Sequence, residues 1–391
     1  MVNKIVFVEE VPLAQRLYER YGLQILETAG FAVEIWDCTP FLVPELVNFP
    51  EPDPLKFHGI RAFRTEREAL AAVQVEPATT VFVMDIGYRS QSWGLFKTLS
   101  RGKHVFGIQM LNALPAGADL VHHKLARWIP KLLKAPRRGL VAGFRKLPPH
   151  WLGVRPPDFV FRGGTASVDR RFPFGVPRQE VVAHALDYDL YLKDRAVTER
   201  DADVPQCAYA VFVDQAGPFH PDAIFLGRTP PVSAEDYYPA LVRFFERVEQ
   251  ELGLQVVVAA HPRSYYDRLP DYFKGCRVIR DKTLQLVKAA NLVLMHDSTT
   301  INFVVLHHRP AVFLSYAAHP AWDHINIVRM AAVFGKQPID LDNLPATIDW
   351  SAALNVDEAA YRAYKDKFIK QNGSPDKPVW QIFADFLKTL E

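Results

Sequence analysis

The chain predicts an α/β protein of two doubly wound, Rossmann-like domains, with a cleft between them and helices at the carboxyl end. Three observations lead there. Runs of near-pure Val, Ile, Phe and Ala, such as Ile5–Val8 and Val256–Ala260, alternate with amphipathic stretches in both halves. Strands of that kind are buried on both faces, as in parallel sheets. The first run, a helical pattern, Gly30 and a second run follow one another before Asp37, a βαβ unit whose strands must be parallel. Finally, the alternation stops at a charged segment without apolar periodicity, Lys193 to Gln206, and then begins again. A length of 391 residues suits two or three domains.

In order, Ile5–Val8 reads as a strand ending at Glu9-Glu10. Leu13, Leu17, Tyr18, Tyr21, Ile25 and Leu26 mark the helical region, which Gly30 closes. Phe31–Asp37 is the second strand. Ile60–Phe63, a helix over Glu66–Val73, Thr80–Met84, a helix near Ser92–Leu99 and His104–Gln109 continue the series. Asp158–Arg162 and Val181–His184 resume it. The second half reads as strands Tyr209–Val213, Gln255–Ala260, Arg277–Ile279, Leu292–Met295 and Ala311–Leu314. Its helices are expected at Tyr237–Leu252, Thr283–Ala290 and Thr299–His308, with final helical segments at Val356–Phe368 and Pro378–Leu390. The expected domains are 1–195, 206–350 and a helical 351–391. Two such halves, a linker and terminal helices resemble the GT-B architecture, in which a nucleotide sugar binds mainly to the carboxyl-terminal half.

Composition narrows the function. With 49% apolar and 12% aromatic residues the chain has a substantial core, which excludes large-scale disorder. A net charge of +2 argues against a dedicated nucleic-acid binder. Cys38, Cys207 and Cys276 lie far apart, which excludes a disulfide framework or a cysteine zinc site and fits a reducing cytoplasm. The apolar run at the amino terminus is too short for a signal peptide, and no run approaches a membrane span. A cytoplasmic location is expected, with peripheral contact to the inner membrane as an option. The 13 histidines show no HExxH spacing, so no metal site is expected.

Two strand ends carry the strongest chemical signal. Val256–Ala260 delivers His261-Pro262-Arg263 to its carboxyl end, where open α/β sheets bind ligands. Arg263 can fork onto a phosphate and His261 can donate to one; the plainer alternative is a solvated turn. Leu292–Met295 opens into His296-Asp297-Ser298-Thr299-Thr300 before the next helix. One hydroxyl there suffices as a cap; three, beside the amides of a helix start, suit a phosphate. Asp214 and Gln215, which end the first strand of the second half, are further donor candidates.

His261-Pro262 followed by Ser298–Thr300 resembles the paired HP and Ser/Thr motifs of bacterial GT-B sialyltransferases and capsule Kdo transferases. The opening KIVFVEEVPLAQRLYERYGLQILETAGFAVEIWD resembles proteins of bacterial surface-carbohydrate assembly. The resemblance implies inverting, metal-independent transfer of a CMP-activated acidic sugar, such as Kdo or a sialic-acid-like sugar. The acceptor would be a surface polysaccharide or lipopolysaccharide, taken as an oligosaccharide or lipid-linked glycan. It also implies that these motifs hold the donor phosphate. The acidic D/E-D/E-G motif of the sialyltransferases has no counterpart in the amino-terminal half.

Inverting transfer needs a base for the acceptor hydroxyl. Asp85, directly after Phe82-Val-Met, ranks first and Asp187 second; each reads equally well as a cap or turn residue. Glu9 and Glu10 rank lower. Asp187-Tyr-Asp189 forms a DxD, but so do Asp201-Ala-Asp203 and Asp340-Leu-Asp342, which empties the match of meaning. Arg162, Gly163 and Gly164, with Asp189, are candidates for the acceptor side; paired glycines equally make a tight turn. His319, Asp323, His324 and Asn326 are placed near the nucleotide. Between Leu120 and Pro157 stand nine basic residues and no acidic one, so residues 124–155 suit an anionic membrane or a lipid-linked acceptor, or form a solvated basic face. Two rivals remain. One is a UDP-amino-sugar 2-epimerase or hydrolase of the same fold, drawing on Asp85, Asp187 and Asp214. The other is a non-catalytic nucleotide-sugar-binding protein of an assembly complex.

Overall fold

The computed structural model describes residues 2–47, 53–115, 147–168, 172–197, 201–220, 232–316 and 321–390, apart from the side chains of 321–323. The chain forms two units. Unit 1 comprises Met1–Leu111, Ala118–Leu186 and Asn372–Glu391; unit 2 comprises Asn112–Gly117 and Asp187–Gln371.

Unit 1 holds a parallel sheet of seven strands: β1 (Lys4–Glu9), β2 (Ala32–Asp37), β3 (Ile60–Ala62), β4 (Thr80–Asp85), β5 (Val105–Met110), β6 (Phe159–Arg162) and β7 (Gln179–Val182), in the order β3-β2-β1-β4-β5-β6-β7. Successive side chains of a strand point to opposite faces, and β1 is apolar on both. Ile5 and Phe7 join one core with Val33, Ile35, Val81 and Val83. Val6 and Val8 join another with Trp36, Phe82, Leu95, Phe96 and Leu99. The first core is closed by the helix Val379–Leu387, on which Val379, Trp380, Phe383, Ala384 and Leu387 are all buried.

Unit 2 holds β8 (Tyr209–Val213), β9 (Gln255–Ala259), β10 (Arg277–Ile279), β11 (Leu292–Met295), β12 (Ala311–Ser315) and β13 (Ile339–Asp340), parallel and ordered β10-β9-β8-β11-β12-β13. The long helix Ala234–Leu252 covers one face through Tyr237, Leu241, Phe244, Phe245 and Val248. It begins ahead of the expected Tyr237, because Ser233 accepts from the Asp236 amide at 3.2 Å and caps it. Gly253, at φ 65°, ends it in the left-handed conformation that glycine tolerates best.

The units divide the chain differently from the expected domains. The crossing lies at Leu186–Asp187, at the head of the helix Leu186–Arg195, and not in the charged segment after Lys193. That segment is fastened to unit 2 by Asp194–Lys288 at 2.8 Å and Asp201–Lys282 at 2.6 Å. The terminal helices do not form a group either. Glu358–Tyr364 belongs to unit 2, whereas Val379–Leu387 is too apolar for any place but a core and supplies one to unit 1.

Most of the basic stretch 124–155 lies outside the described residues. At its end Trp151 is 72% exposed, but Arg155 forks onto Asp158 at 2.7 and 2.9 Å instead of standing as a solvated cation. Among the described residues no helix is long and apolar enough to cross a membrane.

Candidate active site

In unit 1 the winding runs from β1 through β2 to β3 on one side, then returns to β4 beside β1 and proceeds through β5 to β7. The β1/β4 pair is therefore the topological switch point, the place at which open α/β sheets commonly bind ligands. In register there, Glu9 lies opposite Asp85. Both carboxyls are in hydrogen-bond contact with the Tyr21 hydroxyl. Gln109, on β5, donates to Asp85 through Nε2 at 2.6 Å. Beside them Glu10 accepts from the Gly87 amide at 3.1 Å and from the Arg89 guanidinium.

Proton counting sets the charge of this group. A phenol has one proton and can donate to only one carboxyl, so the second contact needs a proton on the acid. Burial supplies it: Glu9 is 1% exposed, and desolvation, reinforced by the Asp85 charge, raises its pKa well above the ordinary value. The Tyr21 hydroxyl thus faces two carboxyls with one proton, and burial favours the neutral form of Glu9. Since Glu9 is easier to protonate folded than unfolded, its contribution to stability is complete below its ordinary pKa of 4.5 and is lost as pH rises through the folded value. Glu9→Gln should therefore flatten the decline of unfolding free energy as pH rises above 4.5. Denaturant titrations across that range test this; parallel profiles for variant and wild type would show that Glu9 is ionised in the fold.

In unit 2 the winding runs β8, β9, β10 and then returns to β11 on the other side of β8, so β8/β11 is the switch point. Three neighbouring exits bear the polar residues. After β9, the His261 ring accepts the Arg263 amide at Nδ1, 3.3 Å, which leaves the neutral ring's proton on Nε2. After β11, Ser298 Oγ accepts the Thr300 amide at 3.3 Å and bonds the Thr300 hydroxyl at 3.3 Å. This local turn displaces the expected start of the helix, which spans only Ile301–Leu306 and has no side-chain cap. Thr299 stands half-buried between them.

After β8, Asp214 faces inward. It is 3% exposed and its oxygens accept from Ala216 N at 2.8 Å, His261 N at 3.2 Å and the Tyr266 hydroxyl at 2.9 Å. Burial pushes its pKa up to about 6 against the pull of those donors. The side chain expected at the donor thus has both its oxygens engaged within the protein. Gln215 donates to the Asp297 carbonyl, and burial likewise raises Asp297 to about 6, opposed by Gln215 and Asn326. His296 is a core residue: Nδ1 donates to Leu314 O at 2.7 Å and Nε2 accepts from Tyr237 at 2.8 Å.

The other expected residues scatter. Asp187 accepts from Asn302 Nδ2 at 2.8 Å, and Asn302 also bonds Tyr364 at 3.3 Å, an arrangement that holds helices of unit 2 together. Asp187 and Asp189 thus belong to unit 2 and Asp85 to unit 1. Arg162 is paired with Glu180 at 2.6 Å and with Gly164 O at 3.0 Å. At Gly163 a Cβ would meet Leu111 O at 2.7 Å, so the glycine accommodates the protein's own backbone. Pro262 is exposed in its turn. His319 lies outside the described residues, as does the side chain of Asp323; His324 is exposed. Among the described residues no three His, Cys, Asp or Glu side chains form a metal-binding group.

Sequence reasoning missed Tyr21, Gln109 and Tyr266. Tyr21 fits the apolar helical pattern, and nothing in its surroundings marks a buried hydroxyl. Glu9 did carry a signal, as an acid ending a strand buried on both faces.

No protein-family profile matches the chain, and no curated protein sequence matches it. Solved structures do. The glycotransferase of kitacinnamycin shares 12% identity, with 99% of this chain and 99% of that one covered and a TM-score of 0.51. UDP-GlcNAc 2-epimerase from Neisseria meningitidis, bound to UDP-GlcNAc, shares 10% identity, with 99% of this chain and 100% of that one covered and a TM-score of 0.50. At such identities the likeness speaks for the fold, which is α/β and GT-B-like.

Proposed function

We propose that this chain is a glycosyltransferase that uses a nucleotide-sugar donor. The observation that carries the reading is the set of exits around the β8/β11 switch point, where His261, Arg263, Ser298, Thr299 and Thr300 leave the carboxyl edge of one sheet. Cationic, imidazole and hydroxyl donors at such an edge suit the phosphate of a nucleotide. Donors placed there would also stabilise a departing nucleotide, which makes metal-independent chemistry feasible. Asp85 would take the acceptor proton. A CMP-linked acidic sugar and a surface-glycan acceptor rest on the motif resemblance, as does an inverting course.

A second reading is favoured by a different observation. The adjacent carboxyls of Glu9 and Asp85, one protonated and one positioned by donors, are the sort of pair that moves protons on and off a sugar, as a 2-epimerase must. An epimerase turns its sugar nucleotide over without an acceptor, so product analysis on the donor alone separates the two.

Thermal-shift and calorimetric titration with CMP, CDP, UDP, GDP and dTDP, with and without Mg²⁺, tests the donor site. A nucleotide at 100 times its dissociation constant adds about 2.7 kcal/mol of stability. Selective binding of CMP without metal is expected, abolished by His261→Ala. Preference for UDP would shift the assignment to another sugar class or to the epimerase; absence of binding by all five would remove the donor site.

A further inference from the structure

Asp214, expected at the donor, is 3% exposed, and two of its hydrogen bonds reach the segment after β9 that holds His261 and Arg263. Its Oδ1 accepts the Ala216 amide at 2.8 Å. Ala216 has φ 51°, a left-handed conformation that costs a residue with a Cβ roughly 1–2 kcal/mol and persists only where its surroundings hold it. Oδ2 accepts the His261 amide at 3.2 Å and the Tyr266 hydroxyl at 2.9 Å. Beyond His261, the chain turns tightly: Ser264 N donates to His261 O at 2.8 Å, and Arg263 N donates to the His261 ring at 3.3 Å. One carboxylate therefore ties the exit of β8, the exit of β9 and the turn at Tyr266.

We infer that Asp214 is the positioning residue of the donor loop: without touching the nucleotide, it holds the His261 amide, and with it the His261 ring and Arg263, in the geometry that receives phosphate. The inference rests on the nucleotide-sugar reading. Three donors converge on the ionised form. Protonation turns the Tyr266 hydroxyl from donor to acceptor and leaves the Ala216 and His261 amides facing a neutral carboxyl, a weaker acceptor than a carboxylate, so the loop loosens. The site thereby acquires a pH dependence. Asp214 titrates at about 6, where burial has raised it. The groups facing it are Tyr237, Tyr238 and Tyr266, all raised by burial and so neutral throughout this range. Further out are His261, whose ring lies 5.1 Å from that of His220, the core residue His296, and Asp297, also at about 6. Asp297 is common to all the variants compared.

Calorimetry with CMP-N-acetylneuraminate and UDP-N-acetylglucosamine tests the inference, because their phosphodiester and pyrophosphate diester groups have no proton to lose near pH 6. In the wild type, affinity for the bound donor should fall by about tenfold from pH 7.5 to 5, the worth of one hydrogen bond to a charged group. Asp214→Asn places an NH₂ against the amide donors; it should bind about tenfold more weakly at pH 7.5 and lack that fall. Tyr266→Phe deletes only a hydroxyl that stabilises the ionised carboxylate, so the break should move to higher pH. An Asp214→Asn protein with wild-type affinity and pH profile would overturn the inference. So would an unshifted break in Tyr266→Phe, which decides the matter even if Asp214→Asn does not fold. Wild-type protein that binds neither donor would instead remove the nucleotide-sugar reading itself, and the role of Asp214 with it.

Discussion

Trp380→Ala should destabilise unit 1 by about 3–5 kcal/mol, the usual cost of truncating a large buried aromatic side chain. Trp380 is 1% exposed, with ring centroids 5.3 Å from Phe7, 5.6 Å from Phe161 and 5.5 Å from Phe383. Its indole N–H donates to Arg20 O at 2.6 Å, which the substitution leaves without that donor. Gly22 shows how closely the fit is made: a Cβ there would lie 2.5 Å from the indole. The expected readout is a fall in melting temperature on the order of 10 °C. The damage should also reach the carboxyl pair, because Trp380 packs edge-on against Tyr21, centroids 6.0 Å apart. A loss below about 1 kcal/mol would mean that the terminal helix is not an integral part of this core.

Asp85→Asn should lower turnover of the proposed glycosyl transfer by about 10²–10⁴-fold, the range general-base catalysis supplies. The exchange is nearly isosteric, so nucleotide affinity in unit 2 should be unchanged. Removing the charge also relieves Glu9, whose raised pKa owes its second-largest contribution to Asp85. Unfolding free energy above neutral pH should accordingly hold or rise. Loss of turnover without loss of stability is the signature sought, read from steady-state kinetics beside denaturant melts. Turnover within a few-fold of wild type would take the base assignment away from Asp85 and return it to the remaining carboxylates.

The strands were legible because they are local. A run such as Ile5–Val8 cannot be half-exposed, and a segment buried on both faces between helices has few alternatives to a parallel sheet. The polar exits after β9 and β11 were legible for the same reason, since an apolar strand that ends abruptly in His-Pro-Arg or Ser-Thr-Thr marks its own carboxyl end. The helix start at Ser233 was also written locally, in a cap followed by Glu235 and Asp236, but apolar periodicity drew attention to Tyr237 instead.

Partnership between distant residues was not legible. Glu9 and Asp85 are neighbours only because the winding reverses between β1 and β4, and strand order is a property of the assembled sheet. Asp214 looks the same in sequence whether it meets a ligand or three internal donors; burial among Ala216, His261 and Tyr266 settles its direction and its pKa. The terminal helix joins unit 1 because Trp380 and Phe383 find Phe7 and Phe161, a match of surfaces that no window of the chain contains. Side-chain pattern thus specifies elements and their carboxyl ends, whereas desolvation and register, which arise only on assembly, specify which polar groups are charged and which act together.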